Sequence, residues 1–445
     1  MNSSRLCAAW MAALACSTAL PVAAETLAEI YALARQSDPK YLAVRSEYEA
    51  TGFAVVEARA GLLPSVSWQY NLGKTNQKIV SSDNAVFAKG TSSYPSKERT
   101  LSASMPIFRL AVWRNWQQSK VSERQAQAAL AASEQDLMVR TATAYLSVLG
   151  AQDAVGFAKA ENESIKRQLD LASTKFRSGQ ATKVNLFDAQ ARLALKESDV
   201  IAAQNDLADK IQELREITGA TASKLAPLPK EAPLVALEPA DVDAWVQTSL
   251  NQNNQVQART VALEVTEREI GKRRAAYYPT LDLSGSRDRK DVNGSLFGGG
   301  SDVKSNEIML KLNVPLFDGL GTTAQVDQAF KHHETAQADL ERDRRQVERQ
   351  ARAAYQGLSS GIVRTRALDQ SVAAYESARQ LKEEGYKAGI STVIGVIDAE
   401  RDLYAAKRDA AQARYDYQLN ALRLKQAAGS LNIDDLLLLS NLMPQ

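Results

Sequence analysis

Ala58-Arg-Ala-Gly-Leu-Leu-Pro64-Ser-Val-Ser-Trp-Gln-Tyr70 returns, in altered residues but the same order, as Arg273-Arg-Ala-Ala-Tyr-Tyr-Pro279-Thr-Leu-Asp-Leu-Ser-Gly285. In both copies a charged, alanine-containing run meets a proline and then alternates apolar with polar residues. Further landmarks repeat in the same order. Ala103-Ser-Met-Pro106-Ile-Phe108 corresponds to Leu312-Asn-Val-Pro315-Leu-Phe317. Phe176-Arg-Ser-Gly179 with Leu186-Phe-Asp188-Ala-Gln-Ala-Arg-Leu193 corresponds to Tyr386-Lys-Ala-Gly389 with Val396-Ile-Asp398-Ala-Glu-Arg-Asp-Leu403. An ordered set recurring after about 210 residues marks one unit duplicated in tandem, and two copies are too few for a solenoid. A pseudo-symmetric body is expected.

The chain between these landmarks is nearly free of helix breakers. From Leu110 to about Ser178 there is no proline, and the glycines are Gly150 and Gly156. A helix of that length reaches about 100 Å. Its counterpart runs from about Thr322 to Lys387, and each run ends at a glycine, Gly179 or Gly389, where a left-handed turn is cheap. The returning segments place Leu186, Leu193, Val200, Leu207 and Leu214, and again Val396, Leu403, Ala410, Tyr417 and Leu424, at seven-residue spacing. That period predicts left-handed supercoiling of long helices. The partner positions Ala189, Lys196, Ala203 and Lys210 are mixed, so a broad alanine-rich contact is expected in place of a simple zipper.

Four segments switch to period two and read as strands with one apolar face. Val66, Trp68, Tyr70 and Leu72 alternate with polar residues, as do Leu101, Ala103 and Met105, Leu281 and Leu283, and Ile308, Leu310, Leu312 and Val314. They pair as two hairpins across polar loops expected at Ser81–Lys97 and Asp288–Lys304. Past the N-terminal leader no run approaches the roughly 20 apolar residues of a membrane helix. Four strands cannot close a membrane barrel, which needs at least about eight. Either the strands form a small soluble sheet, or several chains contribute to one barrel, three of them making about twelve strands.

The N-terminus reads as a secretory signal over residues 1–24: Arg5, an apolar run from Leu6 to Leu20, and small residues Val22-Ala-Ala24 before Glu25. Both cysteines, Cys7 and Cys16, fall inside it, so the remaining chain has no thiol chemistry. Leu14-Ala-Cys16 is preceded by Ala13, not a large aliphatic residue, which argues against a lipid-attachment box. A formal net charge of +2 gives no basis for nucleic-acid binding. His332 and His333, the only histidines, are adjacent in a helical stretch and face different directions, so they read as solvated residues and not as a metal pair. Gly298-Gly-Gly300 lacks the Lys-Ser/Thr of a phosphate loop and reads as a hairpin tip. No catalytic constellation is present, and no enzyme or cofactor is expected. Asp188 and Asp398 stand nine residues beyond their turn glycines; in a closed trimer they would form a ring of carboxylates able to bind cations at a pore mouth.

Together these landmarks resemble the TolC family of outer-membrane exit ducts. The resemblance covers nearly all of the chain after the leader. It starts at Glu25-Thr-Leu-Ala-Glu-Ile-Tyr-Ala-Leu-Ala-Arg-Gln-Ser-Asp-Pro39 and extends to Gly429-Ser-Leu-Asn-Ile-Asp-Asp-Leu-Leu437. It implies a mostly α-helical homotrimer, in which a twelve-stranded β-barrel in the outer membrane, four strands per chain, continues into a coiled-coil tunnel through the periplasm. Repeat 1 would span 25–220 and repeat 2 240–428. The linker at 221–239 with Pro227, Pro229 and Pro233, and the segment 429–445, would form an equatorial belt. The resemblance further implies a periplasmic membrane-fusion adaptor docking at the tips (Arg177, Gly179, Lys387, Gly389) and an inner-membrane pump, either an ABC exporter or a proton-driven transporter. Tyr386 matches a tip tyrosine that holds the closed state, and Asp398 matches an acid of the entrance ring. Ser391, Asn185 and Gly395 stand where a latch arginine, its acid partner and a second ring acid can occur, so the latch is expected to differ. The duct would conduct cargo passively, in efflux or type I secretion, with a slight tilt toward protein secretion. The competing reading is a periplasmic coiled-coil scaffold without a channel.

Overall fold

The computed structural model describes residues 24–81, 90–180, 182–221, 224–229, 234, 238–294 and 299–443. Apart from Ala24, the expected leader with Cys7 and Cys16 lies outside these residues, as do Pro233 and Gly298. The elements run α1 (Leu27–Ser37), α2 (Pro39–Ala60), β1 (Ser65–Ile79), β2 (Gly90–Phe108), α3 (Leu110–Arg177) and α4 (Lys183–Thr218). The series then repeats as α5 (Val242–Gln252), α6 (Asn254–Arg274), β3 (Thr280–Val292), β4 (Ser301–Asn313), α7 (Gly321–Lys387) and α8 (Val393–Ala427), followed by α9 (Ile433–Asn441). The long helices contain 68 and 67 residues, so the breaker-free runs fold as single helices.

The four strands form one antiparallel sheet in chain order, β1-β2-β3-β4. Its register aligns the period-two positions on one face: Val66 opposite Ala103, Ala103 opposite Gly285, Gly285 opposite Ile308, with Trp68 opposite Leu101 and Leu283 opposite Leu310. Val66, Trp68, Ile308, Leu310 and Leu312 are exposed on it. The other face is hydroxyl-rich, with Ser65 and Ser104 Oγ atoms 2.9 Å apart and those of Ser67 and Ser102 2.8 Å apart. The hairpin loops are shorter than the polarity of 81–97 and 288–304 suggests. Pairing continues to Ile79 with Gly90 and to Val292 with Ser301. Ladder hydrogen bonds use the backbone alone, so polar residues extend a strand past its apolar band.

The chain divides into two compact units that each draw on both repeats. One comprises Met1–Val44, Leu130–Asn254 and Arg344–Gln445, the other Arg45–Ala129 and Gln255–Asp343. In the first, α1 buries Leu27, Ile30, Tyr31 and Ala34, the single stripe that a 3.6-residue period produces. The stripe packs in one core with Leu137 and Tyr145 of α3, Leu225 and Ala226 of the linker, and Leu436 and Leu439 of α9. Each leucine or isoleucine among them contributes about 1.5–3 kcal/mol by leaving water. The Tyr145 hydroxyl lies 2.7 Å from Ala226 O and 3.1 Å from Glu25 O, so the core is pinned where three distant segments meet. At the α1–α2 corner, Arg140 grips the buried Asp38 with two bonds of 3.0 and 2.8 Å. That guanidinium holds the Asp38 carboxyl below the usual carboxylate range.

The two returning helices are buried unequally. Val396, Leu403, Ala410, Tyr417 and Leu424 of α8 are all at most 3% exposed. Of the matching residues of α4 only Leu214 is buried, and Val184, Leu195 and Ile201 are exposed. α8 seats closely on α7, where a Cβ at Gly357 would lie 2.9 Å from Asn420 and one at Gly361 3.4 Å from Tyr417.

Both helices end on a left-handed glycine, Gly219 (φ +70°) and Gly429 (φ +73°). A Cβ at Gly429 would stand 2.2 Å from the Gln252 carbonyl oxygen, whereas at Gly219 the nearest atom is the Ser37 side chain at 3.2 Å. Gly219→Ala should therefore cost about 1–3 kcal/mol of backbone strain. Gly429→Ala should cost distinctly more, because a carbonyl cannot swing aside. Thermal unfolding followed by circular dichroism checks the order; equal midpoints would contradict it.

Candidate functional site at the helix turns

The same device closes both long helices. Gly179 takes φ +76° and Gly389 φ +79°. The Gly179 N–H donates to Phe176 O at 3.0 Å and the Gln180 N–H to Lys175 O at 2.8 Å; the Gly389 N–H donates to Tyr386 O at 3.1 Å and the Ile390 N–H to Gly385 O at 2.7 Å. These bonds satisfy the last carbonyls of each helix. Thr182 and Thr392 then cap α4 and α8, their hydroxyl oxygens accepting from Asn185 N–H at 3.4 Å and Gly395 N–H at 3.1 Å. Glycine and threonine are the residues that local geometry demands here, which is why the turns are legible in the sequence.

Asp188 and Asp398 each lie in the second turn of their helix, and the structure brings them together through a residue that composition did not single out. Arg192 places Nη1 3.0 Å from Asp398 Oδ1 and Nε 3.6 Å from Asp188 Oδ2. The first contact is a hydrogen bond; the second is an ion pair without one, since Arg192 Nε has no hydrogen-bond partner among the described residues. Arg401 adds contacts of 3.7 Å to Asp398 and 2.8 Å to Asp402. Side-chain exposure of 40% for Asp188 and 38% for Asp398 leaves these pairs solvent-screened, worth at most about 1 kcal/mol each. Three carboxylates against two guanidiniums leave this cluster of one chain with a residual charge of −1. The i,i+4 spacing of Asp188 and Arg192 was the available sequence signal.

The remaining sequence-derived residues divide. The Tyr386 ring lies under the Lys175 ammonium, 3.8 Å from Nζ, so in this chain its partner is a cation on α3. Ser391 is folded into its own turn, its N–H donating to Gly385 O at 3.0 Å. A Cβ at Gly385 would meet its Oγ at 2.7 Å. Asn185 is engaged through its backbone at the Thr182 cap, and the structure does not bring Asn185 and Ser391 together. Arg177 and Lys387 are exposed, Lys387 3.0 Å from Glu383 and Arg177 bonded to Thr174 Oγ1 at 3.5 Å. Sequence reasoning passed over Val184, Phe187 and Ile390, apolar residues exposed at the turns by 73%, 54% and 85%. His333, expected to be solvated, is half-buried and bonded through Nδ1 to Thr266 Oγ1 at 3.0 Å.

Two residues beyond Asp398, Glu400 is 5% exposed, and its Oε2 has no hydrogen-bond partner among the described residues. Burial pushes its carboxyl above the usual range, against the Ser164 hydroxyl and the Arg379 and Arg167 guanidiniums, which favour the charged form. A raised folded pKa makes the contribution of this residue most favourable in acid, below the ordinary Glu value of about 4.3. That contribution is lost as pH rises through the folded pKa. Glu400→Gln removes the dependence. Hydrogen exchange of α8 should therefore show the variant gaining protection over wild type as pH rises from about 4 to about 7.5; a pH-independent difference would contradict this account.

Comparison with known proteins follows the same geometry. The sequence profile described as outer membrane efflux protein matches residues 30–220 and again 245–430, one match per repeat. The chain is 31% identical over 418 residues to the outer membrane protein TolC of Vibrio cholerae, covering 93% of each. It is 28% identical to the alkaline protease secretion protein AprF of Pseudomonas aeruginosa, covering 91% of this chain and 85% of that protein. The fold is shared with the solved outer membrane channel CmeC of Campylobacter jejuni, with a TM-score of 0.79 at 16% identity, covering 91% and 86%. With its turns, strands and both repeats accounted for, the chain belongs to the outer membrane efflux protein family, a channel protein of the outer membrane and not an enzyme.

Proposed function

We propose that three copies of this chain close one twelve-stranded barrel and act as the exit duct of a tripartite machine. The observation that carries this reading is the four-stranded sheet with an exposed apolar face, whose outer strands β1 and β4 each have a single neighbour. In hydrocarbon an unpaired edge is intolerable, and closure through neighbouring chains removes it. The exposed apolar residues of α4 favour the same assembly, since a periplasmic helix surface of that kind needs cover.

At the helix turns the exposed Val184, Phe187 and Ile390, flanked by Arg177 and Lys387 around Gly179 and Gly389, offer a mixed apolar and basic surface for a periplasmic adaptor. The adaptor in turn couples the duct to an inner-membrane pump. Asp188 and Asp398, with three copies present, form the acidic ring of the entrance, and Arg192 sets its residual charge. Tyr386 of α7 and Lys175 of α3 provide a contact that ties the second helical hairpin to the first. The secretion name carried by one relative supports an assignment to type I secretion, and the family description supports efflux; the duct itself is passive in both.

Crosslinking after extraction in mild detergent tests the assembly. The protein should sediment with outer membranes and give a trimer that dissociates on heating; a detergent-stable monomer would overturn the reading. In planar bilayers, replacing both Asp188 and Asp398 with Ala should weaken divalent block of the current by about tenfold or more, as expected for removing a charged ring at a constriction. Arg192→Ala should strengthen the block several-fold. Unchanged block in both variants would remove the ring from the account.

A further inference from the structure

We propose that the lipid-facing side of the sheet carries a binding row for the phosphate groups of outer-leaflet lipid headgroups, an inference that rests on the outer-membrane barrel reading above. The register places Tyr70 opposite Arg99, Arg99 opposite Arg289 and Arg289 opposite Lys304. Three cations on three adjacent strands thus stand side by side, at spacings of about 5 Å between strands. By the two-residue period they share the face of Trp68, Leu101 and Ile308. Arg287, opposite Leu101, adds a fourth cation one row nearer the apolar band. All four are exposed.

Like charges set directly opposite repel one another and destabilise a ladder. Local partners relieve this only in part. Arg289 holds Asp302 through two bonds of 3.1 and 2.7 Å, and Arg99 lies 5.6 Å over the Tyr70 ring. The next row toward the hairpin turns adds Lys97 with Asp291 and Asp302. Within these three rows five cations face two acids. The opposite face at the same level carries Glu98, Asp288 and Lys290, with no cationic excess. The excess is therefore confined to the face that meets lipid.

Its position selects the partner. Ser65, Phe108, Thr280 and Asn313 lie at the helix-joined end of the sheet, and the cation row lies toward the hairpin turns. With the helices in the periplasm, the turns face outward and the row sits at the outer-leaflet headgroups. Trp68 and Tyr70, stacked at 6.1 Å between ring centroids, occupy the boundary that amphipathic aromatics favour. Below them the apolar rows accept acyl chains, and level with them guanidinium forks match phosphate oxygens. A phosphorylated outer-leaflet lipid satisfies both halves of this surface at once.

The test uses full-length protein in neutral detergent, titrated with a bis-phosphorylated, multiply acylated glycolipid and separately with its dephosphorylated form. Bound lipid is counted by native mass spectrometry. The phosphorylated lipid should bind about tenfold more tightly, an advantage that falls with added salt. The triple variant Arg99→Gln, Arg287→Gln, Lys304→Gln should lose that advantage while conducting like wild type in neutral bilayers. Inorganic phosphate at equal concentration should leave lipid binding unchanged; competition by it would assign the row to free anions and overturn the lipid assignment. Equal binding of the two lipids to wild type, or an undiminished advantage in the conducting variant, would also overturn the proposal and leave the duct reading intact. Should the variant fail to conduct, the wild-type comparison of the two lipids decides.

Discussion

A sheet that is apolar on one face and open at both edges is the constraint on which the rest of this molecule turns. Lipid accepts the face and rejects the edges, because backbone donors and acceptors in hydrocarbon have no water to fall back on. Four strands are a third of a twelve-stranded barrel and cannot close one alone. Membership in the outer membrane efflux protein family agrees with that arithmetic. The long helices divide: α8 buries its apolar seam within the chain, whereas α4 leaves Val184, Leu195 and Ile201 exposed.

Duplication meets much of this demand at low cost in sequence information. One plan of two short helices, a hairpin and a long helical pair is written twice, and α3 and α7 differ by one residue in length. Departures from the plan concentrate at the turns. Phe176 becomes Tyr386, Asn185 becomes Gly395, and Arg192 becomes Asp402. Arg192 of α4 reaches across to Asp398 of α8, while its counterpart Asp402 pairs with Arg401. Burial departs as well: α8 is packed within its own chain while α4 keeps apolar residues exposed. Equivalent helices thus have unequal neighbours.

The parts of the fold that could be read in advance are those governed by interactions within a few residues. The helix runs, the Gly179 and Gly389 turns, the seven-residue seam of α8 and the two-residue faces of the strands are all set by backbone propensity and local periodicity. The strand ends were read too short because polarity marks the lipid band, whereas the ladder is drawn by backbone hydrogen bonds. Arg192 was visible only as a helix residue one turn from Asp188; its bond to Asp398 joins positions about two hundred residues apart, and no local rule anticipates it. Glu400 is similar. An acidic residue in a charged helix reads as solvated until packing from other helices closes over it.

Chain composition and periodicity alone determine that this protein is a duplicated, breaker-poor helical body with four amphipathic strands. Those properties depend on each residue's own conformational preference and its affinity for water. Which acids share a guanidinium, which carboxylate is buried, how the cations align across β2, β3 and β4, and which of two equivalent helices is enclosed were decided by folding. Each is a distance between residues remote in sequence, and such distances exist only once the chain has paid its conformational entropy and packed.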